Sequence, residues 1–247
     1  MHVLRLLALA GIIAGMLAAG QMVEAHVRTS PAFATRSIEV TGHAHLTRAQ
    51  VLAAAQLAVG ENVFVTAPED AQAALRSHPW VASATVTRRL PDTFEVHLQE
   101  RTPVALLALD QLYLVGADGS VFKPLEPSDP SDMPVITGID PDAFARDRSY
   151  RTSVLVNAVA LLHDYRDVGL WRRTPIAEIH ALPGEAFLLY VGKEETQVRL
   201  GKRPFRKKLR RFRKVIDQLE RQKAVADYVY LDNVRRPDRV TVRLRVQ

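Results

Sequence analysis

The chain has 247 residues, of which 47% are hydrophobic and 24% charged, a composition typical of a globular protein with one or two folded domains. It contains no cysteine, which excludes disulfides, thiolate metal sites and a cysteine nucleophile. The formal net charge is +6, and nine of the thirteen residues in 202–214 are basic, so any partner of that segment is expected to be anionic.

The first element is an apolar run, 6–23, whose eighteen residues carry no charge. As a helix this run is roughly 27 Å long, close to the ~30 Å hydrocarbon core of a bilayer. We therefore predict an N-terminal transmembrane helix, with residues 1–26 forming a membrane anchor and its short cytoplasmic end. The bulk of the protein is then expected outside the cytoplasm. A cleaved signal peptide, cut at Val23-Glu24-Ala25, is the alternative.

Two helices are predicted after a first short strand, 37–41. Thr47 is a candidate N-cap with Gln50 three residues later, and this capping box predicts a helix to about Ala58. A second box, Thr66-Ala67-Pro68-Glu69, predicts another short helix with proline in its first turn.

A β-hairpin follows, with Leu90-Pro91-Asp92 at its turn. Its two strands each alternate between apolar and polar residues, so the pairing register must bring the apolar faces together. We predict Val86 opposite Val96 and Ala84 opposite Leu98, with the two helices covering the apolar face. The order over 36–103 is then β-α-α-β-β.

The rest of the chain alternates strand and helix patterns. Four prolines in 123–134 predict a loop, and apolar spacings of three and four predict a helix over 149–168. The basic segment has the same spacing from Phe205 to Leu219, which predicts a helix packed by an apolar stripe. The predicted strands cover 104–109, 111–115, 176–182, 186–192, 196–200, 228–231 and 240–246.

The final strand is the strongest candidate for a binding site. Its residues alternate cleanly, which is typical of a half-buried strand. A strand at the end of a chain is expected at a sheet edge, where free N–H and C=O groups accept an incoming strand. An interior position, or an edge blunted by its own arginines, is the alternative. One face carries Val240, Val242, Leu244 and Val246, and the other carries Thr241, Arg243, Arg245 and Gln247.

The sequence carries no Gly-x-Ser-x-Gly elbow or glycine-rich phosphate loop. His43 and His45 could hold a metal, but a polar turn explains them more simply. Asp129 and Asp132 lie in the proline-rich stretch, read here as a mobile loop that cannot hold catalytic carboxylates accurately. We therefore predict a non-enzymatic protein with no cofactor, metal or small-molecule substrate. The basic face of the helix over 202–214 is either simply exposed to solvent or binds anionic lipid or an acidic protein segment. Binding of nucleic acid is not expected.

The sequence resembles the FtsQ/DivIB family of bacterial division proteins. The resemblance is carried by HPWVASATVTRRLPDTFEVHLQERTPVA at 78–105, VRLG at 198–201 and YLDNVRRPDRVTVRL at 230–244. It implies an α+β fold with a transmembrane helix, a POTRA (polypeptide-transport-associated) domain at 36–103 and an antiparallel β-sheet domain with flanking helices at 104–247.

The resemblance also implies a function. Such a chain is a bitopic scaffold of the divisome in the inner membrane at the septum, and it links single-pass partners of the FtsB and FtsL type. A POTRA-bearing component of polypeptide transport or outer-membrane assembly is the alternative. The implied partner-binding residues are Tyr230, Asp232, Arg235, Val240, Val242, Arg243, Leu244 and Arg245.

Overall fold

A computed structural model describes residues 2–233, 235–236 and 238–245. The chain divides into two compact units, Met1–Arg101 and Thr102–Gln247. The elements of the first unit are α1 (His2–Thr29), a 3₁₀ turn (Pro31–Phe33), β1 (Ser37–Thr41), α2 (Arg48–Ala55), α3 (Pro68–Arg76), β2 (Val81–Arg89) and β3 (Thr93–Glu100).

The apolar N-terminal run lies within α1. Asn62 ties the end of this helix to the fold, since its Nδ2 donates to the Val27 carbonyl at 2.8 Å and to the Ser30 carbonyl at 3.3 Å. Within the part of the chain that the structure describes, no helix combines the length and the apolar character needed to span a membrane.

The first unit has the predicted β-α-α-β-β order and a three-stranded sheet in the order β1-β3-β2. The predicted hairpin register is confirmed, with Val86 opposite Val96 and Ala84 opposite Leu98. β1 pairs with β3 in parallel, and the long connection that such a pair needs runs through α2, α3 and β2.

Only one of the two predicted capping boxes forms. The Thr47 hydroxyl accepts from the Gln50 N–H, and the Gln50 side chain accepts from the Thr47 N–H at 2.8 Å. The Thr66 box is wrong: α3 begins one residue later, with Ala67 as its N-cap and no side-chain cap. Proline in the first turn starts this helix without help from a hydroxyl.

The second unit is built on one nine-stranded sheet, in the order β12-β11-β10-β9-β8-β7-β4-β5-β6 among the described residues. Its elements are β4 (Pro103–Ala108), β5 (Leu112–Gly116), β6 (Val121–Pro124), β7 (Val135–Thr137), α4 (Pro141–Arg146), α5 (Arg148–Asp167), β8 (Ile176–Leu182), β9 (Ala186–Val191), β10 (Thr196–Gly201), α6 (Phe205–Gln222), β11 (Ala226–Tyr230) and β12 (Thr241–Leu244).

The sheet is mixed, which corrects the prediction of an antiparallel sheet. β4 pairs with β7, β7 with β8, and β10 with β11 in parallel, whereas the hairpins are antiparallel. Parallel neighbours need a crossover between them. The helices α4 and α5 supply it between β7 and β8, and α6 supplies it between β10 and β11.

The main core lies between one face of this sheet and the helices α5 and α6. The predicted stripe of α6 is confirmed, since Phe205, Leu209, Phe212, Ile216 and Leu219 are all buried. Burial of this stripe anchors the helix, and the basic residues occupy its remaining surface.

The segment 123–134 is a loop over 125–134, as predicted, but it is not the mobile loop that its prolines indicated. β6 takes its first two residues, and Asp129 is only 7% exposed. The Asp129 carboxylate accepts from Lys123 Nζ at 2.7 Å and from the Glu126 N–H at 2.9 Å. An ion pair between nearly buried side chains holds this segment against the sheet, which its proline content alone did not indicate.

Candidate functional site

The last described strand, β12, lies at the edge of the nine-stranded sheet. It pairs antiparallel with β11, which places Thr241 opposite Tyr230, Val242 opposite Val229 and Arg243 opposite Tyr228. In the part of the chain that the structure describes, β11 is its one strand neighbour. The other flank of β12 therefore faces away from the sheet.

The direction of the backbone groups follows from the hydrogen bonds on both sides of β11. The Arg245 N–H donates to the Val225 carbonyl at 2.8 Å, and the Leu231 N–H donates to the Arg199 carbonyl of β10 at 3.0 Å. Alternate residues of a strand direct their N–H and C=O groups to the same side. Arg245, Arg243 and Thr241 thus bond inward to β11, whereas Val242 and Leu244 present their backbone groups at the open edge.

One face of β12 forms a groove with α6. Val240, Val242 and Leu244 lie on this face, and the opposite wall comes from α6. Val240 and Val242 are partly buried against the core, while the Leu244 side chain remains 49% exposed. The groove encloses about 360 Å³ and offers an apolar surface directly beside the open edge; its helical wall consists of Val215, Gln218, Leu219 and Gln222.

Aromatic and basic side chains mark the other face of the edge. Tyr228 and Tyr230 stack with their ring centroids 6.4 Å apart, and they lie opposite Arg243 and Thr241 in the register. Burial raises the pKa of Tyr228, and the nearby Arg199 cation opposes this shift. The Tyr228 hydroxyl therefore keeps its proton at physiological pH and offers a donor next to the exposed Arg243.

Arg245 is held in place at the end of β12. Its guanidinium donates to the Asp227 carboxylate at 2.7 Å, to the Glu194 carboxylate at 2.9 Å and to the Glu194 carbonyl at 2.8 Å. The hydrogen bond to Asp227 is the main reason that the pKa of Arg245 is raised. This residue fastens the end of the edge strand to the neighbouring β9–β10 turn.

Asp232 forms an ion pair with Lys208 of α6. Its carboxylate accepts from Lys208 Nζ at 2.8 Å, and the same ammonium donates to the carbonyls of Leu200 and Lys202. Gly201 has φ +70, and a Cβ at that position would overlap the Asp232 carboxylate. Asp232 thus fixes the point at which the chain leaves β11 and begins the connection to β12.

The structure brings together most of the predicted site residues. Tyr230, Val240, Val242, Arg243, Leu244 and Arg245 all lie on or beside β12, Asp232 anchors the connection, and Arg235 is exposed within it. Val246 and Gln247 lie outside the described residues. Sequence reasoning missed Tyr228 and the wall supplied by α6, although the position of Val215 and Gln218 beside the apolar stripe of that helix was an available signal.

Other candidate chemistry resolves into structural contacts. His43 Nδ1 lies 3.1 Å from the Leu46 carbonyl, and the His45 ring stacks on Trp80 with a centroid distance of 3.7 Å. Among the described residues, one group of side chains has metal-ligand spacing, and its aspartate at 167 lies 3.5 Å from the Arg206 guanidinium. That group lies on the surface of α5 and consists of His163, Asp164 and Asp167.

Comparison with known proteins matches each of the two units to a family model of the FtsQ type. Residues 33–101 match the model of the FtsQ-type POTRA domain, and residues 104–232 match the model of the C-terminal region of cell division protein FtsQ/DivIB. The cell division protein FtsQ of Anaeromyxobacter sp. (strain K) is 40% identical over 209 residues, covering 85% of this chain and 71% of the relative. That of Myxococcus fulvus is 30% identical, covering 87% of this chain and 75% of the relative.

Proposed function

Because the chain belongs to the FtsQ/DivIB family of bacterial cell division proteins, we propose that it is a non-enzymatic scaffold that binds a partner protein along the edge strand β12. The partner is a single-pass division protein of the FtsB type, associated with one of the FtsL type. An extended segment of that partner adds to the sheet as a further strand.

The free flank of β12 is the observation that carries this proposal. An incoming strand gains main-chain hydrogen bonds from the outward N–H and C=O groups of Val242 and Leu244. Its apolar side chains extend the groove beside α6, and its polar side chains meet the tyrosine face. Exposed Arg243 and Arg235 favour acidic residues in the incoming strand and disfavour pairing of this edge with a second copy of itself.

The remaining predicted site residues have supporting roles in this proposal. Tyr230 stacks beside Tyr228 on the polar face, and Val240 continues the groove. Arg245 and Asp232 hold the two ends of the edge strand through their ion pairs. Their substitution is expected to weaken partner binding by loosening β12 rather than by removing a direct contact.

Val242→Pro tests the proposal directly. Proline removes an N–H that faces the open edge, so the internal ladder with β11 keeps its hydrogen bonds while the partner loses one. We expect capture of the FtsB-type partner to fall at least about tenfold, consistent with loss of a hydrogen bond and local misfit at an interface. Capture is measured with purified full-length chain in detergent.

Val242→Thr is the matched control, because it keeps both the β-branched shape and the backbone donor. This variant is expected to bind within about threefold of the original protein. Equal capture by the proline variant and the original protein, with β12 intact by hydrogen exchange, would exclude this edge as the main binding site.

We further propose that Leu6–Val23 anchors the chain in the inner membrane, with the N-terminus in the cytoplasm and both folded units outside it, at the division septum. The support is the uncharged length of this run. Carbonate extraction, combined with the mass of the mature N-terminus, tests the anchor. A product that begins near residue 26 and is released from membranes would contradict it.

A further inference from the structure

The structure contains a second groove, which lies among loops at the end of the sheet and shares Leu219 with the groove at β12. It encloses about 590 Å³ and lies between three loops, those after α5, between β9 and β10, and after α6. Its floor is apolar and consists of core residues that are less than 9% exposed, namely Val191, Ile216, Leu219 and Ala226. A cavity of this size is typical of a ligand-binding site.

The rim of this groove carries an excess of unpaired positive charge. Arg172, Lys193 and Lys223 are exposed, one on each loop, and none forms an ion pair within the described residues. Both acids that line the groove are already bonded. Glu194 accepts from Arg245 at 2.9 Å, and Glu220 accepts from Arg173 at 3.1 Å.

The acids around the groove neutralise Arg173 and leave the other three cations without an acidic partner among the described residues. Arg173 is held by two acids, since it also donates to Asp217 at 2.7 Å, and these hydrogen bonds raise the pKa of its guanidinium. The three remaining cations therefore face the solvent above an apolar floor. The complementary ligand is one that joins carboxylates to a single large apolar group.

We propose that this groove binds a short acidic segment of a partner protein, with one large apolar side chain on the floor and flanking carboxylates between the three cations. A polypeptide is the occupant that matches this arrangement, because carboxylates on both sides of one apolar side chain can meet cations that lie on three separate loops around one apolar floor. The two grooves share Leu219, and Glu194 on the rim also holds Arg245. The variants below therefore change Arg172, Lys193 and Ala224, none of which lines the groove at β12.

The test measures binding of a fluorescein-labelled peptide, Asp-Glu-Leu-Asp-Glu, to the full chain by fluorescence anisotropy. The double variant Arg172→Gln/Lys193→Gln is expected to weaken binding at least about fivefold through loss of two charge contacts. A matched pair on the outer face of α6, Lys207→Gln/Lys214→Gln, removes the same charge without touching the groove and is expected to change binding less than about twofold. Equal losses in both double variants would mean unspecific attraction to a basic protein and would overturn the proposal.

Two further arms test the apolar part of the site. Ala224→Phe fills the groove and is expected to abolish peptide binding, whereas Ala177→Phe, on an exposed strand position, is expected to preserve it. The peptide Asp-Glu-Ser-Asp-Glu keeps the charge and is expected to bind at least about tenfold more weakly, because its serine buries little apolar surface. Peptide binding that survives Ala224→Phe would overturn the proposal, as would binding to phosphatidylglycerol vesicles without binding to the peptide.

Discussion

Replacement of Gly201 by alanine should destabilise the second unit strongly, because two separate effects act at this position. Its φ of +70 lies in the left-handed region, which costs a residue with a Cβ about 1–2 kcal/mol. The new Cβ would also overlap the Asp232 carboxylate and displace it from Lys208. The Asp232 and Lys208 side chains are only 25% and 15% exposed, so loss of their 2.8 Å hydrogen bond adds about 1.5 kcal/mol or more.

The expected total for Gly201→Ala is therefore about 2.5–3.5 kcal/mol or more. Gly169→Ala is the matched control, because Gly169 belongs to the same unit and has φ +78, but a Cβ there meets no atom within 4 Å. That variant should lose about 1–2 kcal/mol through backbone strain alone. Hydrogen exchange in a urea series, read on peptides of β10 and α6, measures the free energy of unfolding of this unit.

The double variant Gly201→Ala/Asp232→Ala separates the overlap from the strain. Removal of the carboxylate relieves the overlap, so the double variant should cost at least about 1.5 kcal/mol less than the sum of the two single variants. Additive costs, or a Gly201→Ala variant no less stable than Gly169→Ala, would refute the reasoning that Asp232 packs against this glycine.

Two further predictions concern groups inside the folded units. Burial acts to raise the pKa of Glu100, but hydrogen bonds from the His45 N–H at 2.6 Å and the Leu46 N–H at 2.8 Å prevail and lower it below its usual 4.5. Glu100 thus stabilises the first unit fully above pH 4.5 and loses this contribution as the pH falls. The difference in free energy of unfolding between the original protein and Glu100→Gln, measured by urea titration, should therefore decrease below pH 4.5. A difference that stays constant with pH would contradict this prediction. Tyr165 is fully buried, and its hydroxyl donates to the Thr174 carbonyl at 2.6 Å. Tyr165→Phe should therefore lower the free energy of unfolding of the second unit by about 1–2 kcal/mol, measured by hydrogen exchange in a urea series. An unchanged free energy of unfolding would contradict this prediction.

Features that depend on neighbours in sequence were predictable. The hairpin register was predictable because a shift of one residue would turn the apolar side chains of one strand to the opposite face of the sheet. Val86 does lie opposite Val96. The capping box at Thr47 and the apolar stripe of α6 likewise depend on residues three or four positions apart. Proline position located α3, although its cap proved to be Ala67 rather than Thr66.

Features that depend on distant residues were not predictable in this way. The short strands β6 and β7 and the helix α4 have too few residues to show a period, and the parallel pairings depend on which crossover packs where. The burial of Asp129 required Lys123 to lie beside it, and prolines in the same segment pointed instead to a mobile loop.

In the candidate site, too, local features were predictable from the sequence and long-range features were not. Alternation in 240–246 identified the final strand and its two faces, because a strand repeats every two residues. The pairing of β12 with β11 decides which backbone groups remain without a hydrogen-bond partner in the sheet. This tertiary contact directs the N–H and C=O groups of Val242 and Leu244 outward. The contact of Asp232 with Gly201 joins residues 31 positions apart in sequence, and no local pattern carries information over that distance.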